Sequence, residues 1–362
     1  MIDAIDLFSG IGGMHKGASE AGGFHFVWAN DIDKWAAKVY KAQFPETPFY
    51  LGDIRDVPAD SIPDHQLLCA GFPCQSFSVA GARGGFQDPR GTLFYEILRV
   101  IDAKRPQMLL LENVDGLLNH DEGQTFTTIL WELGRRGYVC EWQVLNSNWF
   151  GIPQKRERVF IIGHLGGEPR SQVFPILETG GANPKVLATG VRAVNALHAS
   201  DYKGVDNNGA RTMIMEPLLL GSTNPHYKGE PRSKHLKETA RTLTNGWSNQ
   251  EDVILQPVPV LTPQRDKKRQ NGRRFKNPGE PMFTLTAQDQ HGVITYDGMA
   301  YKPRLLTPVE RERLQGFPDG WTAEISDAQR IKTTGNAVTV NVVAEICRRI
   351  AYVSTQKSER RA

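Results

Sequence analysis

Ile2-Asp3-Ala4-Ile5-Asp6-Leu7-Phe8, running straight into Ser9-Gly10-Ile11-Gly12-Gly13 and then Met14 to Ala21, is the stretch on which the fold turns. The apolar segment reads as a short strand, the glycines as a tight turn, and the remainder as a helix. Strand, glycine-rich turn and helix open a βαβ unit of the nucleotide-binding kind. Glycines there let a ligand approach the backbone closely. Their spacing is not GxGxxG, so a pyrophosphate cradle is not indicated, and close packing of strand on helix accounts for them nearly as well.

Outward from this unit the alternation continues. Phe24 to Trp28 reads as a second strand, ending at Ala29-Asn30-Asp31-Ile32-Asp33 before a helix over 34–44. An acid about 20 residues beyond the glycines suits a ribose diol, which makes Asp31 the candidate. Capping the helix that follows is the competing use, shared with Asn30 and Asp33. Phe49 to Ile54 reads as a third strand, with Asp53 placed to accept from a purine amine or to close a turn. Gln66 to Ala70 is a buried strand stopped by Gly71-Phe72-Pro73-Cys74-Gln75-Ser76. A thiol at a strand exit can meet a ligand at the sheet edge, whereas Cys69 within the run is a core residue. The polar loop 77–91 is long for a compact domain and reads as a closing lid. A helix follows from Thr92, then the apolar strand Met108 to Leu111, which delivers Glu112-Asn113-Val114 beside the Cys74 loop. Tyr138 to Leu145 and Arg158 to Gly163 read as further strands. Alternation puts Arg156 and Arg158 on one strand face, able to hold an anion or a carbonyl.

The 362 residues suffice for two domains. The N-terminus has no basic, apolar leader, no run reaches membrane-spanning length, and the four cysteines show no CxxC pair. These features point to a cytoplasmic protein without a structural metal. Net charge is only +3, too small to identify a nucleic-acid binder. From about Gly166 the βα alternation gives way to Pro, Gly, Asn and Thr. Within this region Gly209 to Met213, Ala240 to Thr244 and Met282 to Thr286 form a weak repeat of short strand-loop-strand units. Between the last two copies, residues 265–276 carry seven positive charges against one negative. Lys267, Lys268, Arg269, Arg273 and Arg274 are the candidates for phosphate contacts. Regularity returns at Leu305, with Thr307, Pro308 and Glu310 as the start of a helix. Thr334-Gly335-Asn336-Ala337-Val338-Thr339 leads into a helix over 340–352 and offers backbone N–H groups at its start.

Taken together, Asp6-Leu7-Phe8-Ser9-Gly10-Ile11-Gly12-Gly13, Gly71-Phe72-Pro73-Cys74-Gln75, Glu112-Asn113-Val114, Gln154-Lys155-Arg156-Glu157-Arg158 and Gly335-Asn336-Ala337-Val338 resemble the DNA (cytosine-5) methyltransferase family. Each piece is modest, but all of them in this order are specific. The resemblance covers about 1–165 and 303–352. It implies an α/β, Rossmann-like S-adenosylmethionine-dependent methyltransferase domain (1–165), a smaller, irregular β-rich target-recognition domain (166–302), and C-terminal helices completing the first domain (303–362).

The resemblance also implies roles. Cys74 would add to carbon 6 of cytosine, Glu112 in its neutral form would donate to N3, and Arg156 and Arg158 would neutralise charge near O2. S-adenosylmethionine would lie against Phe8, Gly10, Gly12, Asp31, Ile32, Asp53, Ile54, Leu93, Asn336 and Val338, leaving as S-adenosylhomocysteine. No metal is required. Phe72 and Pro73 would shape the wall beside the base. The base must leave the duplex, and Gln75, Ser78 and Arg90 are the expected loop contacts to double-stranded DNA. The expected enzyme is a bacterial or phage-encoded monomer; the resemblance allows a separate cognate restriction endonuclease as a partner without requiring one. Two departures stand out: Asp31 replaces the usual glutamate, and Ile32 replaces a common aromatic. An RNA methyltransferase on the same scaffold, a catalytically silent DNA-binding protein and a nucleotide oxidoreductase are the competing readings.

Overall fold

The computed structural model describes residues 1–72, 93–166, 173–176, 189–192, 258–263, 273–276, 280–288, 290–296 and 301–359. The Cys74 loop, residues 73–92, lies outside these, as do the first two copies of the weak repeat and Lys267, Lys268 and Arg269.

Strands β1 (Ile2–Leu7), β2 (Phe24–Asp31), β3 (Phe49–Leu51), β4 (Leu67–Gly71), β5 (Met108–Val114), β6 (Tyr138–Asn146), β7 (Glu157–Leu165) and β8 (Thr189–Arg192) form one sheet in the order β3-β2-β1-β4-β5-β7-β6-β8. The first five are parallel, while β7 runs antiparallel to β5 and β6, and β8 antiparallel to β6. Helices α1 (Gly13–Ala21), α2 (Lys34–Gln43), α3 (Leu93–Lys104) and α4 (Gln124–Gly134) follow in the first part of the chain. Both faces of the sheet are covered, which is why β4 and β5 read as unbroken apolar runs. Alternation sorts the strands between two cores. Ile5, Leu68 and Leu109 pack with Leu98, Ile101 and Leu130 on one face. Ala4, Cys69 and Leu110 pack with Met14, Ala18 and Ile346 on the other.

The C-terminal part forms α5 (Pro308–Arg313), α6 (Asp327–Asn336) and α7 (Val340–Glu359). Helix α5 starts with the expected capping box of Thr307 and Glu310, with Pro308 in the first turn. Gly335 and Asn336 are helical, the end of α6, rather than a loop. The first amide of α7, Val340 N, donates to Gln315 O at 2.9 Å, so it is not available to a ligand as expected.

Helix α7 lies on α1 through glycines. A Cβ on Gly13 would stand 2.6 Å from Val338 Cγ1, and one on Gly17 would stand 2.6 Å from Val343 Cβ and 2.9 Å from Val340 O. A second sheet, β11-β10-β9, is antiparallel and made of β9 (Val258–Val260), β10 (Gly292–Tyr296) and β11 (Tyr301–Leu305).

The first sheet continues past Gly166, where composition alone puts a boundary. Val173, Phe174 and Ile176 join the core beneath α7, and β8 extends the sheet. The cause is non-local. Buried Glu141 accepts from Val173 N and Phe174 N, and Gln143 bonds Ile176 through both its N–H and its carbonyl. Strand β3 ends at Leu51, three residues before the expected limit, because Asp53 caps a short 3-10 turn, Ile54–Asp56. Met282 to Thr286 is no strand; it lies extended against residues 153–156, bridged at Gln154 and Met282.

Gly17→Ala is expected to lower stability by roughly 1–3 kcal/mol, despite a helix-propensity gain of up to about 1 kcal/mol. The Val340 carbonyl cannot yield as a flexible side chain would. Thermal or urea denaturation checks this.

Candidate active site

Parallel strands deliver their carboxyl ends to one edge, and the strand order reverses beside β1, which opens a crevice there. Phe8, Asp31 and Gly71 end or follow strands at that edge, and Glu112 lies two residues before the end of β5. Because β7 is antiparallel to β5, its start meets the same place: Val114 pairs with Arg158.

On the β1 side the glycine turn and Asp31 are joined. Gly10 N donates to Asp31 Oδ2 at 2.7 Å, and Asp33 N donates to Asp31 Oδ1, also at 2.7 Å. Burial raises the Asp31 carboxyl above its ordinary range, against the pull of these amides. The helix cap is Asp33, which accepts from Trp35 N and Ala36 N, so Asp31 is not spent on capping. Each Asp31 oxygen keeps acceptor capacity for a ligand hydroxyl. Phe8 and Gly10 have φ of 56° and 55°, and a Cβ built on Gly10 would meet nothing within 4 Å. Ile32 is 68% exposed beside the buried Asp31, a bare apolar surface at the sheet edge. Ser9 Oγ is buried without a hydrogen-bond partner. An open cradle over glycine, a carboxylate with spare lone pairs and an exposed apolar side chain fit an adenosine-bearing group.

The remaining expected contacts differ. Asp53 is held by Arg55 and takes the turn-closing role. Ile54 is only 2% exposed and belongs to the core. Gly12, at φ 86°, packs under Phe44; a Cβ there would stand 2.5 Å from that ring. Leu93 packs against the core at the start of α3. Val338 covers Gly13, and Asn336 is exposed.

On the β4–β5 side Gly71 pairs with Glu112, and a Cβ on Gly71 would lie 3.4 Å from Glu112 Oε2. Arg158 Nε is 3.2 Å from Glu112 Oε1. Burial raises the Glu112 pKa, and the Arg158 and Arg156 charges oppose it. Asn113, which the sequence offers only as part of a tripeptide, proves to be a positioning group. Its Nδ2 donates to Phe72 O at 2.8 Å, fixing the chain two residues before Cys74.

Arg156 does not share a strand face with Arg158. It precedes β7, is 2% exposed, and donates to Leu285 O (2.9 Å), Gly335 O (3.4 Å) and Ala337 O (2.8 Å). Those carbonyls take the guanidinium expected beside the base. The neighbouring Gln154 is also structural, bonding Leu314 O and Leu285 N.

The other thiols are accounted for. Cys69, Cys140 and Cys347 are buried. Burial drives the Cys69 pKa well up and brings Cys140 and Cys347 to about 12, so all three stay protonated at neutral pH. Among the described residues no cluster of His, Cys, Asp and Glu could hold a metal, and no helix is long and apolar enough to cross a membrane.

Solved structures of the same fold include a DNA modification methyltransferase described as putative and encoded within an E. coli prophage (TM-score 0.60, 22% identity, covering 98% of this chain and 100% of that one). Another is the S. pombe Dnmt2 methyltransferase (TM-score 0.61, 20% identity, 96% and 98%). Among curated sequences, the type II methyltransferase M.NlaX of Neisseria lactamica is 33% identical over 363 residues, covering all of both chains. M.DsaV of Dactylococcopsis salina, also a type II methyltransferase, is 33% identical over 98% of this chain and 88% of its own. The family model for C-5 cytosine-specific DNA methylases matches residues 2–352. With this coverage the chain belongs to the C-5 cytosine-specific DNA methylase family.

Proposed function

We propose that this enzyme methylates carbon 5 of a cytosine flipped out of double-stranded DNA, using S-adenosylmethionine and a transient bond from Cys74 to carbon 6. The observation that carries the reading is the Glu112–Arg158 pair, held by sheet register beside the strand exit that leads to Cys74. With Cys69, Cys140 and Cys347 locked as buried thiols, Cys74 is the remaining nucleophile.

The Cys74 thiolate adds to carbon 6, and the electron pair released from the 5,6 double bond makes carbon 5 nucleophilic. Glu112, whose pKa burial raises, donates its proton toward N3 as charge gathers there. Arg158, 3.2 Å from Glu112, balances the carboxylate so formed and is the cation for the O2 side of the ring. Arg156 acts behind it, holding the strand start and the Ala337 segment in place. S-adenosylmethionine, when bound, supplies the methyl group as an electrophilic sulfonium. Asp31 would hold its ribose, Ile32 and Phe8 would cover its adenine, and the Gly10 turn would admit it against the backbone. Water held in the site takes the carbon-5 proton, the carbon–sulfur bond breaks, and Glu112 recovers its proton from N3. Phe72 and Pro73 wall the base, and Gln75, Ser78 and Arg90 on the closing loop meet the opened duplex. The second sheet and the long segment leading to it read the DNA sequence. The chain acts as a cytoplasmic monomer, with a separate restriction endonuclease as its functional counterpart.

The decisive test is base-resolution 5-methylcytosine mapping in DNA from a methylation-free host expressing the chain. Modified cytosines confined to one short motif, and lost with Cys74→Ala, are expected. A soluble, folded protein that binds S-adenosylmethionine yet leaves no 5-methylcytosine would overturn the reading.

Turnover should fall as pH rises through the raised pKa of Glu112, since the neutral acid is the active form. Glu112→Gln should remove that dependence and slow methylation on the order of 10²–10⁴-fold. A pH–rate profile under single turnover measures both effects. Asn113→Ala should cut adduct formation with 5-fluorocytosine DNA on the order of 10²-fold by misplacing the thiol loop. Cofactor affinity, measured by calorimetry, should be unchanged.

A further inference from the structure

The sheet edge that carries Glu112 continues into an open cleft of about 250 Å³, lined by Asn146, Asn148, Lys155, Arg273, Lys276 and Glu280. Its floor is the end of β6 and the approach to β7; its far wall is residues 273–276 and 280–281. Register places it close to the reacting groups, because Asn146 pairs with Glu157, and the next residue, Arg158, pairs with Val114.

The cleft gathers three cations against one carboxylate in its lining. Lys155 is 64% exposed, and Glu157 at 3.8 Å is beyond hydrogen-bond reach of it. Lys276 is fixed from behind. Its ammonium donates to Pro281 O at 2.5 Å and lies 4.6 Å over the Phe283 ring. Burial lowers its pKa, and the nearby Lys155 and Arg273 lower it further, while Glu280 opposes them. Among the described residues Arg273 is held by Glu280, and through a single nitrogen: Nη2 reaches both carboxylate oxygens, at 2.9 and 2.8 Å. That grip lacks the two-nitrogen fork of a strong pair and is 59% exposed on the arginine side, so a competing anion can replace it. Cations held together at the entrance to a DNA-modifying site call for an anion that arrives with the substrate.

We propose that this cleft docks a phosphodiester of the DNA backbone through Lys155, Arg273 and Lys276, and that Glu280 is the counter-ion which the phosphate displaces from Arg273. The assignment rests on the DNA-methylating reading and adds to it a named anchor beside the reacting base. Asn146 and Asn148 line the same floor. Glu280 then acts as a gate: it occupies Arg273 until a phosphate of the right placement takes over, which disfavours loosely docked DNA.

The test is the salt dependence of duplex binding by the full chain, measured by fluorescence anisotropy between 50 and 200 mM salt. Each lost phosphate contact should reduce the slope of log K against log salt by about 0.9. That corresponds to an affinity loss across this range which is about 3.5-fold smaller than wild type. Lys155→Gln and Lys276→Gln should each show this change, and Glu280→Gln should bind several-fold tighter, most of all to duplex lacking the recognition motif. Lys155 is exposed, so its variant tests the idea even if Lys276→Gln fails to fold. Wild-type slopes in a folded Lys155→Gln, with Glu280→Gln no tighter than wild type, would overturn the cleft assignment while leaving methylation intact. Failure of the wild-type chain to bind duplex DNA would instead overturn the parent reading and the cleft together.

Discussion

One buried guanidinium holds the working parts in register. Arg156 stands at the mouth of β7 and bonds carbonyls at 285, 335 and 337, all more than 125 residues further along the chain. A buried cation is costly unless its hydrogen bonds are met, and once met its removal strands several carbonyls in a dry interior. The contact therefore acts as a single fastening. It joins the catalytic sheet, the segment leading into the second sheet and the end of α6. Gln154 reinforces it next door, and Arg311 closes the far side by bonding Thr286 O and Ile331 O. Gly335 permits the arrangement, since a Cβ there would collide with the Thr286 backbone at 2.3 Å.

Around that fastening the chemistry divides between two halves of the sheet edge. The half over β1 and β2 is built from backbone amides, a buried carboxylate and an exposed apolar side chain, as suits a neutral sugar and a flat ring. The half over β4, β5 and β7 is built from a carboxylic acid and a guanidinium, as suits a ring that acquires negative charge. The same sheet supplies both because parallel strands end together, and the antiparallel β7 brings Arg158 in from the opposite direction. Without that reversal Arg158 would leave the sheet at the other edge, and Glu112 would face the crevice without a cation.

The parts visible in the sequence were those governed by local physics. The βα alternation, the capping box at Thr307, and the glycines of the first turn each leave a short-range signature. The meeting of Asp31 with the glycine turn follows from spacing, and the apolar run of β5 is visible up to Glu112, although the strand continues to Val114. What could not be read were partnerships across distance. Nothing near Arg156 says that three carbonyls will claim it, and nothing near Glu141 says that its carboxylate will draw residues 173–174 into the core. Asn113 was in view, but its hold on Phe72 follows only from the adjacency of β4 and β5. The extra helix α6 escaped because Gly335 and Asn336 read as a break, whereas tertiary packing against 286–287 keeps them helical. Asp53 and Ile54 show the reverse, where a plausible site position turns out to be a turn and a core contact.

The glycine seam between α1 and α7 has a consequence for how the protein comes into being. Helix α1 is synthesised more than 300 residues before α7, its partner across the seam. Until then the side of α1 that carries Gly13 and Gly17 lacks its cover, and the second sheet has already been synthesised. Folding of the catalytic half must therefore wait for, or be held open by, a segment that is still being made. Such delayed closure lengthens exposure of sticky surface and favours chaperone engagement during synthesis.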